Sequence, residues 1–182
     1  MKQVAVLFAR ADSLYKKLKG VDVYDKERNA YSWPGGCPVI AHPPCRAWGV
    51  LSHMAKPEPG EKELALWAVE QVRENGGVLE HPAGSRLFKE LPVVHGIPDE
   101  WGGFTVEVDQ YDFGHVASKP TKLYICGYPM VPLPKMPHRD GEPTKSMTGQ
   151  VPGTARCTQY EREYTPPALI KWLLTVARRC AK

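Results

Sequence analysis

The sequence predicts an α/β domain built on a mainly parallel central sheet. Short apolar runs, VAVLF at 4–8 and VIA at 39–41, read as buried strands. Between and after them lie helical patterns, the clearest from Glu61 to Asn75. The chain also opens as strand, helix, strand and then an acid, the start of a nucleotide-binding βαβ unit.

Taken in order, Val4 to Phe8 is the first strand, and Asp12 to Leu18 is a short helix stopped at Lys19-Gly20. Val21 to Tyr24 is the second strand, followed by Asp25, whose carboxylate is placed to bond ribose hydroxyls. The intervening loop, Ala9-Arg10-Ala11-Asp12-Ser13, has no glycine, so a backbone approach to a pyrophosphate is difficult. Trp33-Pro34-Gly35-Gly36 is a turn into the strand Val39-Ile40-Ala41. In the helix Glu61 to Asn75, Leu64, Trp67, Ala68 and Val72 supply the apolar face, and Asn75-Gly76 ends it. Gly77 to Glu80 is a short strand broken by His81-Pro82.

Phe104 to Val108 and Lys122 to Cys126 are further strands. Residues Gly127 to Gly153 hold too much proline for a regular element and read as an irregular excursion over the surface. A last helix, Ala168 to Arg179, is capped by Thr165 with Pro166 at its first position. Leu169, Trp172, Leu173 and Val176 form its buried face, and Arg178 and Arg179 suit its C-terminal dipole. The whole is a Rossmann-like, three-layer arrangement in one domain over 1–182.

The composition, 42% hydrophobic and 24% charged, is that of an ordinary globular protein. No apolar run is long enough to span a bilayer, and the N-terminal MKQVAVLFARAD lacks a signal-peptide core, so a cytoplasmic protein without a membrane partner is expected. Five scattered cysteines argue against a disulfide framework. A net charge of +4 is compatible with a polyanionic partner without demanding one.

Two strand ends carry chemistry. Pro43 and Pro44 cannot continue a ladder, which leaves Cys45 on a stiff turn just past a strand, at the sheet edge where α/β proteins bind ligands. Arg46 follows, and a neighbouring cation favours thiolate over thiol. Glu80 ends a second strand. If the two strands are adjacent and parallel, thiol and carboxylate open onto one cleft.

These segments together resemble the DNA cytosine-5 methyltransferases. His42-Pro43-Pro44-Cys45 is similar to that family's Pro-Pro-Cys nucleophile motif, and Leu79-Glu80-His81-Pro82 to its Glu-Asn motif, with His81 in place of Asn. Gln110 to Tyr124 resembles the later segment in which a Gln and basic residues precede a strand. LFARADSLYKKLKGVDVYD has the layout of the cofactor motifs, with Phe8 and Asp25 on matching positions, and TPPALIKWL resembles the closing helix.

The resemblance implies a truncated, methyltransferase-like domain of phage type that acts on DNA or a pyrimidine nucleotide. Cys45 would add to C6 of the ring, and Glu80, with a raised pKa, would share a proton with N3. Arg46 or Lys119 would hold the thiol ionised or bind a phosphate. Phe8, Asp25, Pro43 and Pro44 would bind S-adenosylmethionine, while Gln110, Lys119 and His81 would meet the substrate. A base within a duplex would have to be flipped out.

Two other readings stand beside this one. One is a zinc-containing nucleic-acid-binding module using Cys37, His42, Cys45 and His53, although structural zinc usually recruits paired Cys knuckles. The other is a catalytically inert descendant that binds a nucleotide or protein, favoured by the glycine-free loop. Trp33 and Trp48 flank the nucleophile turn and suit either base stacking or core packing. His115 and His138 read as solvent-facing loop residues.

Overall fold

The computed structural model describes residues 2–49, 52 and 55–180. Six strands form the main sheet: β1 (Val4–Ala9), β2 (Val21–Asp25), β3 (Val39–Ala41), β4 (Gly77–Pro82), β5 (Phe104–Asp109) and β6 (Pro120–Cys126). Their order is β2-β1-β3-β4-β6-β5. Strands β1 to β4 are mutually parallel, β6 runs against both β4 and β5, and so a mostly parallel sheet results.

Helices lie on both faces, which explains why the first strands are apolar without alternation. On one face α1 (Glu61–Asn75) and α2 (Leu87–Glu90) cover Ala5, Leu7, Val39, Ala41, Leu79 and Tyr124. On the other face, beyond the short α3 (Gln159–Glu163), α4 (Pro167–Arg179) covers Val4, Val6, Ile40, Val78, Leu123 and Ile125. Burying each large side chain of α4, such as Leu169 or Leu173, contributes roughly 1.5–3 kcal/mol. β3 and β4 meet closely because Gly77 has no side chain. A Cβ there would lie 1.9 Å from the Val39 carbonyl oxygen, and the residue's φ is +134°.

Several elements depart from the sequence expectation. The first predicted helix is only a 3-10 turn over Leu14–Lys17, capped by the Ser13 side chain. In the last helix, Pro167–Arg179, the cap is displaced by one residue: Pro167 rather than Pro166 takes the first position, and Pro166 rather than Thr165 is the cap, with no side-chain capping bond. β4 continues through His81 and Pro82 because β6 pairs with it antiparallel, Pro82 opposite Thr121. The proline-rich stretch is irregular as expected, except that Lys145–Ser146 (β7) pairs with Ala155–Arg156 (β8). Among the described residues no helix is long and apolar enough to cross a membrane.

Candidate functional site

The His42 N–H still bonds the Leu7 carbonyl of β1 at 3.0 Å, and the two prolines that follow end the ladder. The chain then turns: the Cys45 carbonyl accepts the N–H groups of Trp48 and Gly49 at 3.0 and 2.8 Å. Trp48 anchors this turn. It is buried, and its indole N–H donates to the Lys62 carbonyl at 3.1 Å. Trp33 is buried as well, so both tryptophans are core residues rather than stacking platforms. Pro43 is buried, Pro44 half-buried, and Cys45 is exposed to solvent.

Glu80 lies at the carboxyl end of the adjacent parallel strand, on the α4 face, with 12% of its side chain exposed. One carboxylate oxygen contacts His42 Nδ1 at 2.8 Å; the other accepts from Gln110 Nε2 at 2.9 Å. Gln110 is fully buried, and the same amide nitrogen donates to Thr121 Oγ1 at 3.0 Å. His42 Nε2 meets the buried Tyr15 hydroxyl at 3.2 Å. Lys119 is half-buried nearby, its Nζ donating to the Tyr164 carbonyl at 3.1 Å. Thus Glu80, Gln110, Lys119 and Cys45 share one neighbourhood, and His42 and Tyr15 join it.

The electrostatics correct two expectations. Burial would raise the Glu80 pKa, but the His42 hydrogen bond and the Lys119 charge outweigh it and hold the group down at about 2. Glu80 is therefore an ionised acceptor at rest, not a protonated acid. Desolvation, followed by the Glu80 charge, pushes the Cys45 thiol up, with Lys119 opposing. Arg46 does not activate the thiol. Its guanidinium is committed to Glu61, with Nε–Oε1 at 3.1 Å and Nη2–Oε2 at 2.5 Å, and Glu61 is buried.

His81 points to the opposite face, against Phe88, with ring centroids 6.3 Å apart. It is 1% exposed and neither ring nitrogen has a well-formed hydrogen bond among the described residues. Desolvation holds it neutral, its pKa lowered to about 4. It supports the turn near the Pro44 carbonyl and does not face the cleft with Glu80, which corrects its assignment as a substrate contact.

The cofactor positions also differ from expectation. Phe8 bulges out of the β1–β2 ladder with φ at 61°, and packs edge-on against Trp67 at 6.0 Å. A bulky residue in that region stores roughly 1–3 kcal/mol of strain. Asp25 Oδ1 accepts the backbone N–H groups of Glu27 and Arg28 at 3.1 Å each, and Oδ2 accepts Lys16 Nζ at 2.5 Å. The carboxylate has no free pair of oxygens for a ribose diol. Arg10 of the preceding loop is tied to Asp12 and Glu163. These residues do not fit S-adenosylmethionine, and no step below runs through it.

The described members of the zinc arrangement, Cys37, His42 and Cys45, are not grouped to hold a metal ion. Both His42 nitrogens are engaged, and His53 lies outside the described residues. Among those described, no group of three His, Cys, Asp or Glu side chains is placed to hold a metal ion. His115, expected at the surface, is buried: its Nδ1 accepts the Ala117 N–H at 3.0 Å and its Nε2 donates to the Glu161 carbonyl at 2.8 Å. His138 is exposed, as expected.

Sequence reasoning missed Tyr15 and the role of His42. The signal for His42 was its place between the strand and the double proline; Tyr15 gave none beyond an aromatic in a polar segment. No protein-family model matches this chain, and no curated protein matches it.

Proposed function

We propose that the chain is a pyrimidine C5-modifying enzyme in which the Cys45 sulfur adds to C6 of a pyrimidine, in DNA or in a nucleotide. The observation that supports this is the meeting, at the carboxyl ends of two adjacent parallel strands, of an accessible thiol, a buried carboxylate and a half-buried ammonium. The strand order with helices on both faces suits a Rossmann-like, truncated methyltransferase-like domain.

As the S–C6 bond forms, the thiol proton passes to the solvent that reaches the exposed Cys45, and the C5=C6 electron pair moves onto C5. C5 then takes either a proton from water or a one-carbon group from a donor whose leaving group departs with the bonding electron pair. Water takes the original C5 hydrogen as a proton, sulfur is expelled as the C5=C6 bond re-forms, and solvent returns a proton to the thiolate. Glu80, ionised, accepts a hydrogen bond from the N3–H of uracil or the amino group of cytosine, and Lys119 offsets negative charge as it builds.

Proton uptake at C5 needs water but no one-carbon donor, so the test is exchange of C5 hydrogen into deuterated water. Cytosine and uracil nucleotides, single-stranded DNA and duplex DNA would each be incubated and read by mass spectrometry. Exchange that disappears in Cys45→Ala is expected. If none of these substrates exchanges, the catalytic reading is overturned. The engaged Asp25 favours the second reading, a catalytically inert descendant, which gives nucleotide binding without exchange.

A further inference from the structure

We propose that Tyr15 and His42 form a relay that fixes the position and the ionised state of Glu80, with His42 held as the Nδ1–H tautomer. The role rests on the site proposed above, and His42 acts in it as a positioning residue.

The hydrogen bonds dictate the tautomer. Tyr15 is 1% exposed, and a buried phenol must find an acceptor. Its hydroxyl partner is His42 Nε2, at 3.2 Å. Burial and the Glu80 charge both push the Tyr15 pKa well up, so the phenol stays a donor. Nε2 therefore accepts and carries no proton. The ring proton of a neutral imidazole then sits on Nδ1, aimed at a Glu80 oxygen 2.8 Å away. The His42 backbone is held by its N–H bond to Leu7 and by Pro43 after it, and the ring by its contacts at both nitrogens.

The groups that face Glu80 come from several elements. They are His42 and Cys45 from the turn after β3, Tyr15 from the 3-10 turn and Lys119 ahead of β6; His81, next along β4, acts on Glu80 through its charge only, from the opposite face. Gln110 holds the second oxygen. His42 and Gln110 pin the carboxylate from two sides and leave one lone pair on each oxygen for a ring N–H.

The experiment is nitrogen-15 NMR of the imidazoles, with carbon-13 labelling of the glutamate carboxyls, on the full chain. Variants Tyr15→Phe and His42→Leu identify the signals. At neutral pH the wild type is expected to show His42 as the Nδ1–H tautomer, and Tyr15→Phe to lose that preference. In His42→Leu the Glu80 carboxyl midpoint is expected to climb by roughly one pH unit or more. A simple packing role for His42 would move neither signal. An Nε2–H tautomer or an imidazolium in the wild type overturns the relay, as does an unchanged Glu80 midpoint. Should His42→Leu fail to fold, the near-isosteric Tyr15→Phe decides by the tautomer alone. Correct tautomers without any C5 exchange in the wild type would leave the relay standing and remove the catalytic reading. Exchange with the wrong tautomer would do the reverse.

Discussion

Replacing His81 by Phe should flatten the acid dependence of stability. The folded chain keeps this imidazole neutral until the pH falls to about 4, whereas its ordinary value is 6.5. Below that ordinary value the unfolded chain takes up a proton that the folded chain refuses. Stability is therefore intact above about pH 7 and declines as the pH drops through the window between the two values. The full penalty is about 3 kcal/mol, and about 2 kcal/mol of it accrues between about pH 7 and pH 5. Glu80 does not interfere: its depressed pKa of about 2 means that its contribution is lost only at lower pH, from its ordinary 4.5 downward. The other histidines are common to both proteins and cancel in the difference. Urea unfolding followed by tryptophan fluorescence at several pH values measures it. His81→Phe keeps a ring against Phe88 but has no proton to refuse, so its stability should lose about 2 kcal/mol less than the wild type over the same interval. Equal losses in the two proteins would refute the account of His81 as a buried ring kept neutral by desolvation.

Alkylation of Cys45 by iodoacetamide should become fast only at pH values above the ordinary thiol range, because its pKa is raised. Lys119→Met should move the rate profile further up and Glu80→Gln should move it down; the opposite order would contradict the assigned charges. Gly77→Ala should cost more than about 4 kcal/mol, since its Cβ would overlap Val39 backbone between the two strands that carry the site; a soluble variant with unchanged circular dichroism and melting temperature would disprove this. S-adenosylmethionine should leave the melting temperature unchanged at millimolar concentration. A clear upward shift would show that the Lys16–Asp25 pair opens for a nucleoside.

The sheet was legible because its strands are buried on both faces. VAVLF and VIA needed only hydrophobicity to be found, and each sits where expected. Helix α1 matches from Glu61 to Asn75 because a periodic face ends in Asn-Gly. The pairing direction of β6 could not be read, since antiparallel and parallel neighbours use the same residue types. That pairing is what carried β4 past His81 and Pro82. At the site, the positions of Cys45 and Glu80 followed from strand ends, but their protonation did not. Proximity in sequence suggested Arg46 as the thiol's cation. In space Arg46 turns away to the buried Glu61, and the influential cation is Lys119, 74 residues downstream, a partner that only the fold supplies. The same holds for Tyr15, which reaches His42 across 27 residues.

The distribution of protons then constrains the chemistry. A thiolate attacking with help from a neutral Glu80 would require the proton to pass from sulfur to the carboxylate. The thiol is pushed up by desolvation and by the Glu80 charge, and the carboxyl is held down at about 2, so that transfer is strongly unfavourable in the resting site. An anionic Glu80 is instead ready to hold a substrate edge that presents N–H, while the charge that moves into the ring is offset by Lys119 rather than by Glu80. Sulfur is relieved of its proton only as the bond to carbon forms, when the electron pair is committed to S–C6 and charge moves into the ring. The ring, not Glu80, must therefore drive ionisation of the thiol. It follows that Cys45 should react poorly with general electrophiles and well with a bound pyrimidine, and that Glu80→Gln should accelerate the first reaction while slowing the second. If both rates fell together, Glu80 would be no more than a support for the fold.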